Sequence, residues 1–470
     1  MQATIQQLFN QLVDVKTKNI LAAIIAANGR PYFVGGCVRD LKLNKIPKDF
    51  DVEVFNISRK KLIQILKTFG EVDEYGKAFG IIVANGIEFA IPRTEKKVGE
   101  KHTSFEITLN PRLSLKKASE RRDFTINSIY YDWKNQRLID PNNGLEDLRL
   151  GILTNTSEQF SDDVLRLLRA VRFACRLNFD ISLSTEELIK DLVPKLKNLP
   201  SERIWGELVK IITYKNIPKF FKLLKDLTIL DFLPEMKNLM DCPQQKEWHP
   251  EGDVYQHTMH VLTACQDLLL NYDFDNDETL IVLLGALCHD FGKPSTTKVV
   301  NNKITAHGHD MAGVEPTKTF LERIGCPKNY ISKVCALVEM HMIHVNFTNH
   351  NVNFTNHNVS LKFARNLKNK LAKFDVTFEM LECVVHADMN GRPPLKGGLP
   401  QSWLKIRDGY NLIKNEPVML NGKITPIITG DYLMKNYGFK QGKELGVKLA
   451  EIYEMQLNGD FKTIEEYVNL

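Results

Sequence analysis

The stretch 31–55, PYFVGGCVRDLKLNKIPKDFDVEVF, constrains this chain more than any other. Tyr32-Phe33-Val34 is a short apolar run that predicts a buried strand. Gly35 and Gly36 follow at once, where the backbone can turn sharply and approach a ligand closely. Val38 to Leu43 predicts a helix whose N-terminus faces that ligand, a good place for phosphate. Lys42 to Lys48 forms a basic loop containing Pro47. Asp49 to Phe55 then alternates with period two, so that Asp49, Asp51 and Glu53 share one face of a strand and Phe50, Val52 and Val54 the other. Two carboxylates two residues apart at a strand start can hold Mg2+ jointly, because this hard ion takes oxygen ligands and usually one or two carboxylates plus substrate phosphates. A two-metal clamp of that kind stabilises the attacking and leaving oxygens of an in-line phosphoryl displacement. The competing reading is a half-exposed strand with a solvated acidic face. The diglycine turn, the Arg39-Asp40 pair and the order of the parts favour the metal site.

GGCVRD followed by KDFDVEVF resembles the head of the class II nucleotidyltransferases, the group of tRNA CCA-adding enzymes and bacterial poly(A) polymerases. The resemblance implies that Gly35 and Gly36 grip a triphosphate, with Arg39 beside them, and that Asp49 and Asp51 bind catalytic magnesium.

The 470 residues predict more than one domain. The net charge of +5 sets up no global basic field, so any nucleic-acid surface must be local. The eight cysteines show no CxxC and no regular spacing, which argues against both a disulfide framework and a structural zinc site and fits reduced thiols in the cytoplasm. The N-terminal residues lack a signal-peptide pattern, and no apolar run approaches the ~20 residues that span a bilayer.

Residues 3–27 read as one or two amphipathic helices with a packing role. Ser58 caps a helix running to about Phe69. Residues 79–91 read as a hairpin turning at Asn85-Gly86. Glu88 lies just after that turn. It is either a surface glutamate or, as the resemblance implies, a third acid near the metals on a strand beside that of Asp49 and Asp51. Residues 93–122 carry nine Lys/Arg against four Asp/Glu, with a loop around 96–102 that the resemblance links to the switch from adding C to adding A. RRDFTIN at 121–127 resembles the family's ribose-recognition motif, which implies nucleotide contacts for Arg121, Arg122, Asp123 and Asn127. Residues 140–150 contain a turn and resemble the hinge between head and neck.

In 161–177, SDDVLRLLRAVRFACRL, Ser161 is a good N-cap. At 100° per residue Arg166, Arg169, Arg172 and Arg176 fall on one side of a helix, with Val164, Leu167, Leu168 and Val171 opposite. On chemistry alone the cationic side is a solvent-exposed face. The resemblance is sharper: Asp163 and Arg166 match the family's Glu-Asp-x-x-Arg motif, whose Asp and Arg bond the incoming base, with Arg169 on the same face. Asp162 stands where the family has Glu. Arg203 and Glu207 read as a structural i,i+4 pair.

Beyond a compositional boundary at 241–250 lies a second set: His257, His289-Asp290 and Asp388. Imidazole with carboxylate suits a transition metal such as Mn, Ni, Fe or Zn. The ordered His…His-Asp…Asp set resembles the HD superfamily of metal-dependent phosphohydrolases, with His309 and His341 free to serve a second ion or substrate phosphate, and His260, His344 and His386 as bystanders. The heptad VNFTNHN occurs twice in tandem over 345–358. It reads as a solvated loop insertion rather than a metal site at His350 and His357.

The fold expected is an α/β nucleotidyltransferase head with a small mixed sheet over 1–150, followed by a mainly helical neck at 151–240, an HD domain at 241–395 and a helical tail at 396–470. The function implied is addition of C and A from CTP and ATP to the 3′ end of tRNA, with Mg2+ at the head and a transition metal at the HD site. Two rivals remain open: a poly(A) polymerase or partial adder on the same scaffold, and an HD phosphohydrolase whose head only binds RNA.

Overall fold

The structure, a computed structural model, describes residues 4–75, 81–97, 105–345, 357–418 and 423–470. Residues 346–356 of the repeat, with His350, and residues 98–104 of the basic loop therefore lie outside the described residues. The chain divides into two compact units, residues 1–211 with 222–232, and residues 212–221 with 233–470.

The first unit opens with two helices, Ile5–Leu12 and Val15–Ala26, capped by the side chains of Thr4 and Asp14. Among the described residues from 30 to 139 there are nine strands: β1 (Arg30–Val34), β2 (Asp51–Phe55), β3 (Asp73–Tyr75), β4 (Ile81–Ala84), β5 (Ile87–Ala90), β6 (Arg93–Lys97), β7 (Phe105–Leu109), β8 (Tyr130–Asp132) and β9 (Arg137–Ile139). Seven of them form one sheet in the order β3-β4-β5-β2-β1-β8-β9. It is mixed, because β2 and β5 run parallel while the other pairs are antiparallel. The β4–β5 hairpin turns at Asn85 and Gly86, both at positive φ, as its sequence demands.

The alternation read in 50–55 sets what each face carries. Phe33, Val52, Val54, Ile82, Phe89 and Tyr131 enter the main core with the first two helices and the helix Arg59–Lys67. Phe9 stacks on Tyr131 with ring centroids 4.2 Å apart. The opposite face carries Tyr32, Val34, Phe55 and Tyr130 as a smaller cluster. Asp51, Glu53 and Glu88 belong to that second face, since Val34 pairs with Asp51, Tyr32 with Glu53, and Asp51 with Glu88. Strand β2 begins at Asp51, so Asp49 sits in the exposed loop before it rather than on the strand.

The second unit is mainly helical. The helices Val254–Leu268, Asn276–Cys288, Lys328–Met340 and Phe378–Asn390 pack on one another around a largely apolar core. Ile428, Leu433, Leu445, Ile452 and Phe461 form a separate cluster near its C-terminal end. No helix among the described residues is long and apolar enough to cross a membrane.

Candidate functional sites

In the first unit the chain leaves β1 through Gly35, at φ +85°, a conformation that favours glycine. A Cβ there would lie 3.3 Å from Asp51 Oδ2 and 3.5 Å from an Arg122 guanidinium nitrogen, so Gly35, Asp51 and Arg122 meet at one point. The helix Gly36–Lys42 starts from that point. Burial pushes the Asp51 carboxyl above its usual value; Arg122 opposes this, and Glu88 and Asp49 add to it. A carboxylate crowded by two others is a site that gains from a cation.

Glu53, two residues along β2 and 1 % exposed, anchors the arginines. Its carboxylate accepts from Arg121 at 2.8 Å and from the Tyr130 hydroxyl at 3.0 Å, with Arg122 at 3.6 Å. Burial would raise Glu53, but Arg121 and Arg122 outweigh it and hold it low. For Arg122, burial works against the charge, and Glu53, Tyr130 and Asp51 together hold it above its usual range. The Nε atoms of both arginines are buried without a hydrogen-bond partner.

Asp123, Asn127, Arg39 and Arg169 form a buried chain rather than an open surface. Asp123 accepts from its neighbour's backbone N–H at 2.8 Å and from Asn127 at 2.9 Å through one oxygen, and from Arg169 at 2.8 and 2.5 Å through the other. Burial would raise its pKa, but Arg169 and Asn127 hold it well below the usual carboxylate range. Arg39 donates to Asn127 at 2.6 Å and pairs with Asp40 at 2.6 Å.

The helix expected from Ser161 starts instead at Arg166, and Glu158–Asp162 form a 3-10 turn. The reason is Asp163: its carboxylate accepts from the Leu165 backbone at 3.1 Å and from Arg203 at 2.9 and 3.2 Å. Arg203 therefore does not pair with Glu207, whose partner is Arg172 at 3.0 Å. Nor is the arginine face open to solvent. Arg166 donates to the carbonyls of Gln159 at 2.7 Å and Arg121 at 2.5 Å, and Arg169 is held by Asp123. Only Arg176 on this face is exposed, and it pairs with Asp40 at 3.2 Å. Arg166, Arg121 and Glu53 thus link the start of this helix to β2. Sequence reasoning missed Glu53 and Arg203, although Glu53 stood in the alternating pattern.

In the second unit four histidines and two aspartates converge. His257 Nε2 lies 3.1 Å from Asp388 Oδ1 and 3.3 Å from His289 Nε2. Asp290 reaches His289 at 3.1 Å with one oxygen and His309 at 3.3 Å with the other. His309 Nε2 lies 3.2 Å from His341 Nε2. These atoms make two donor sets, His257–His289–Asp388 and Asp290–His309–His341. The first holds three of the four expected ligands, and Asp290 stands between the two.

The imidazoles are already turned for metal. Nδ1 of His289, His309 and His341 faces the carbonyl of Ala286, Ala306 and Val338 at 2.8, 2.7 and 2.6 Å. A carbonyl only accepts, so each Nδ1 carries the proton and each Nε2 turns a lone pair inward. Lone pairs facing each other across little more than 3 Å repel unless a cation lies between them, and the donor set fits one. Burial drives His341 down to about 3, with His309 and His289 adding to it, so it is neutral and ready to ligate. Burial would raise Asp290 and Asp388, but neighbouring histidines, with Lys293 beside Asp290, hold both well below the usual range. Gly292 makes the arrangement possible, because a Cβ there would fall 2.0 Å from the His309 carbonyl oxygen. His344 sits apart, its Nδ1 on the His341 carbonyl at 3.3 Å.

Fold and geometry together define a nucleotidyltransferase head joined to a histidine–aspartate metal domain. Three family models match the chain: the poly A polymerase head domain at 31–154, the probable RNA and SrmB-binding site of polymerase A at 178–240, and the HD domain at 254–365. The multifunctional CCA protein of Pasteurella multocida is 36 % identical over 306 residues, 63 % of this chain and 70 % of that one. That of Neisseria meningitidis serogroup C is 33 % identical over 317 residues, 66 % of this chain and 72 % of that one. A CCA-adding enzyme solved in apo form shares the fold with a TM-score of 0.64 at 21 % identity, covering 100 % of this chain and 99 % of its own. A Thermotoga maritima CCA-adding enzyme complexed with tRNA shares it with a TM-score of 0.61 at 21 % identity, covering 100 % and 98 %. The chain belongs to the class II family of CCA-adding enzymes and poly(A) polymerases, in the form that carries a C-terminal HD domain. It is an enzyme with CCA-adding nucleotidyltransferase activity.

Proposed function

We propose that this activity completes the 3′ end of tRNA from CTP and ATP at the Gly35–Asp51–Arg122 junction. The observation that carries the reading is that junction itself: a glycine turn, a crowded carboxylate and arginine donors within one small space. Solved relatives support the substrates, among them the Thermotoga complex with tRNA and a Bacillus stearothermophilus CCA-adding enzyme in complex with CTP. Asp49 and Asp51 hold Mg2+, with Glu88 as a nearby third acid; their all-oxygen donor set suits that ion. Bound there, it supplies charge neutralisation for the attacking 3′ oxygen and the departing pyrophosphate. Gly35 and Gly36 let the triphosphate approach the backbone, and Arg121 and Arg122, braced by Glu53, donate to its oxygens. Asp123, Asn127, Arg39 and Arg169 fix the ribose side of the pocket. Asp163 and Arg166 read the base: Asp163 Oδ1 is taken up by the Leu165 N–H and Arg203, Oδ2 keeps a lone pair beside its Arg203 bond, and Arg166 keeps N–H donors.

The second unit acts as a phosphohydrolase holding a transition metal on His257, His289, Asp290 and Asp388, with a second ion on His309 and His341 sharing Asp290. The head spans 1–150, the neck 151–240, the HD domain 241–395 and the tail 396–470. Eight free cysteines, seven of them buried, fit a cytoplasmic setting. The test is purified protein with tRNA ending before CCA and each labelled nucleotide, separately and together. Addition of two C then one A supports the reading. Addition of C alone, of A alone, or of a long A tail assigns a partial adder or poly(A) polymerase instead.

A further inference from the structure

His257 differs from the other three histidines of the second unit. Their Nδ1 atoms face only backbone carbonyls, whereas His257 Nδ1 lies 2.7 Å from Glu251 Oε1 and 3.2 Å from the Gly391 carbonyl. His257 is fully buried, and the Glu251 side chain is 1 % exposed. The same Glu251 oxygen accepts from His249 Nδ1 at 2.9 Å. The two rings meet edge to face, 4.7 Å apart. The other oxygen, Glu251 Oε2, is buried with no hydrogen-bond partner. A carboxylate taken out of water and left with one oxygen unsatisfied costs stability. Packing does not require it, since an apolar side chain would fill the same space.

We propose that Glu251 is a positioning residue of the metal centre: it holds the proton on His257 Nδ1, aims Nε2 at the ion and raises the basicity of that nitrogen, with His249 steadying the carboxylate from its other side. A charged acceptor at 2.7 Å binds the single Nδ1 proton more strongly than the carbonyl at 3.2 Å. Negative charge passed to the ring strengthens its donation to a cation, as in carboxylate–histidine–metal arrays. His249, Glu251 and His257 also lie close enough to be read as a metal site of their own. The hydrogen-bond distances argue against that, because both Nδ1 atoms are occupied by the carboxylate. The inference rests on reading His257 as a metal ligand.

The experiment uses the full chain, stripped with chelator and titrated with Co2+, followed by its visible d–d bands and by calorimetry. Glu251→Ala is expected to weaken Co2+ binding about 10- to 100-fold. Glu251→Gln keeps an acceptor oxygen but loses the charge. It should recover part of the affinity and shift the d–d bands, which loss of packing alone would not do. His249→Phe, which removes the second bond to the carboxylate, should weaken Co2+ binding less than Glu251→Ala does and leave the stoichiometry unchanged. Thermal melts and near-UV circular dichroism of the same preparations report that the second unit of each variant is folded. If Glu251→Ala does not fold, the Gln variant alone decides, by its affinity and its bands. Wild-type affinity and bands in the Glu251 variants would overturn the proposal, as would one ion fewer in His249→Phe. Wild-type protein that binds no Co2+ would instead overturn the metal-centre reading beneath it.

Discussion

The two units solve the problem of holding a cation in opposite ways. The first presents carboxylate oxygen alone, on an edge of β2 open enough that Asp49 and Glu88 are exposed. Its order comes from arginines braced by Glu53. On the function proposed above, such a site is half a site, completed by a nucleotide that brings phosphate oxygens with its magnesium. The second buries His257, His289, Asp290, His309 and His341 and turns its imidazoles inward before any ligand arrives. Such a donor set fits a metal ion held without substrate, which the proposed function takes to be a transition metal. The difference teaches that the donor atoms and their burial, rather than the number of acidic residues, tell a substrate-borne ion from a resident one.

The largest effect expected is at the half-site. Asp51→Ala should reduce nucleotide addition to less than a tenth of wild type while tRNA affinity stays within a few-fold, because the metal carboxylate and the RNA surface are separate functions. Single-turnover C incorporation with a filter-binding control checks it. A variant that retains more than a tenth of the rate would remove Asp51 from the metal site.

Next in size is nucleotide choice. Asp163→Ala and Arg166→Ala should raise misincorporation of GTP and UTP relative to CTP, since a site that loses a polar contact to its substrate can lose orders of magnitude in discrimination. Arg203→Ala should blur choice in the same direction but less, because it frees Asp163 to move without removing it. If Arg203→Ala leaves selectivity at the wild-type level, the bidentate pair does not position the reader.

A smaller effect, on stability, separates the structural chain from the reacting groups. Asp123→Asn should cost about 2 kcal/mol at pH 7, the range for hydrogen bonds to a charged group. The folded Asp123 pKa lies below its ordinary value of 3.8, so the wild-type advantage is fully present above that value and is lost as pH falls through the folded pKa. Urea melts of both proteins at pH 7 and near pH 3 check it. A difference that grows on acidification would contradict the assignment. Smallest of all, Glu88→Gln should raise the Mg2+ requirement about threefold, as befits one exposed charge worth ~0.7 kcal/mol.

Where the signal was local, the sequence carried it. Gly35 and Asn85-Gly86 are turns read within a few residues, and the mixed sheet followed, although Asp49 lies in the loop before β2 rather than on the strand with Asp51. The His257, His289-Asp290 and Asp388 set was legible because its order is unusual, and His309 and His341 were read as serving a second ion, but that Asp290 groups with those two was not. What failed was distant pairing. Asp163 meets Arg203 across 40 positions, and that contact moved the helix start from Ser161 to Arg166. The arginine side of that helix looked solvated because periodicity cannot see Asp123 or Glu207 waiting opposite. Glu53 and Glu251 were missed for the same reason, since a buried carboxylate is marked only by the cations and imidazoles that fold around it.

The most direct test of the contrast between a substrate-borne and a resident ion is one set of measurements on wild type and the double variant His289→Ala, Asp290→Ala. Metal content after purification, hydrolysis of 2′,3′-cyclic AMP and C incorporation in magnesium are read from the same preparations. The double variant is expected to lose its bound transition metal and its hydrolysis while CCA addition stays within about threefold, allowing ~0.7 kcal/mol for indirect disturbance. A folded double variant that keeps its metal, or that loses CCA addition tenfold or more, would contradict two separate centres.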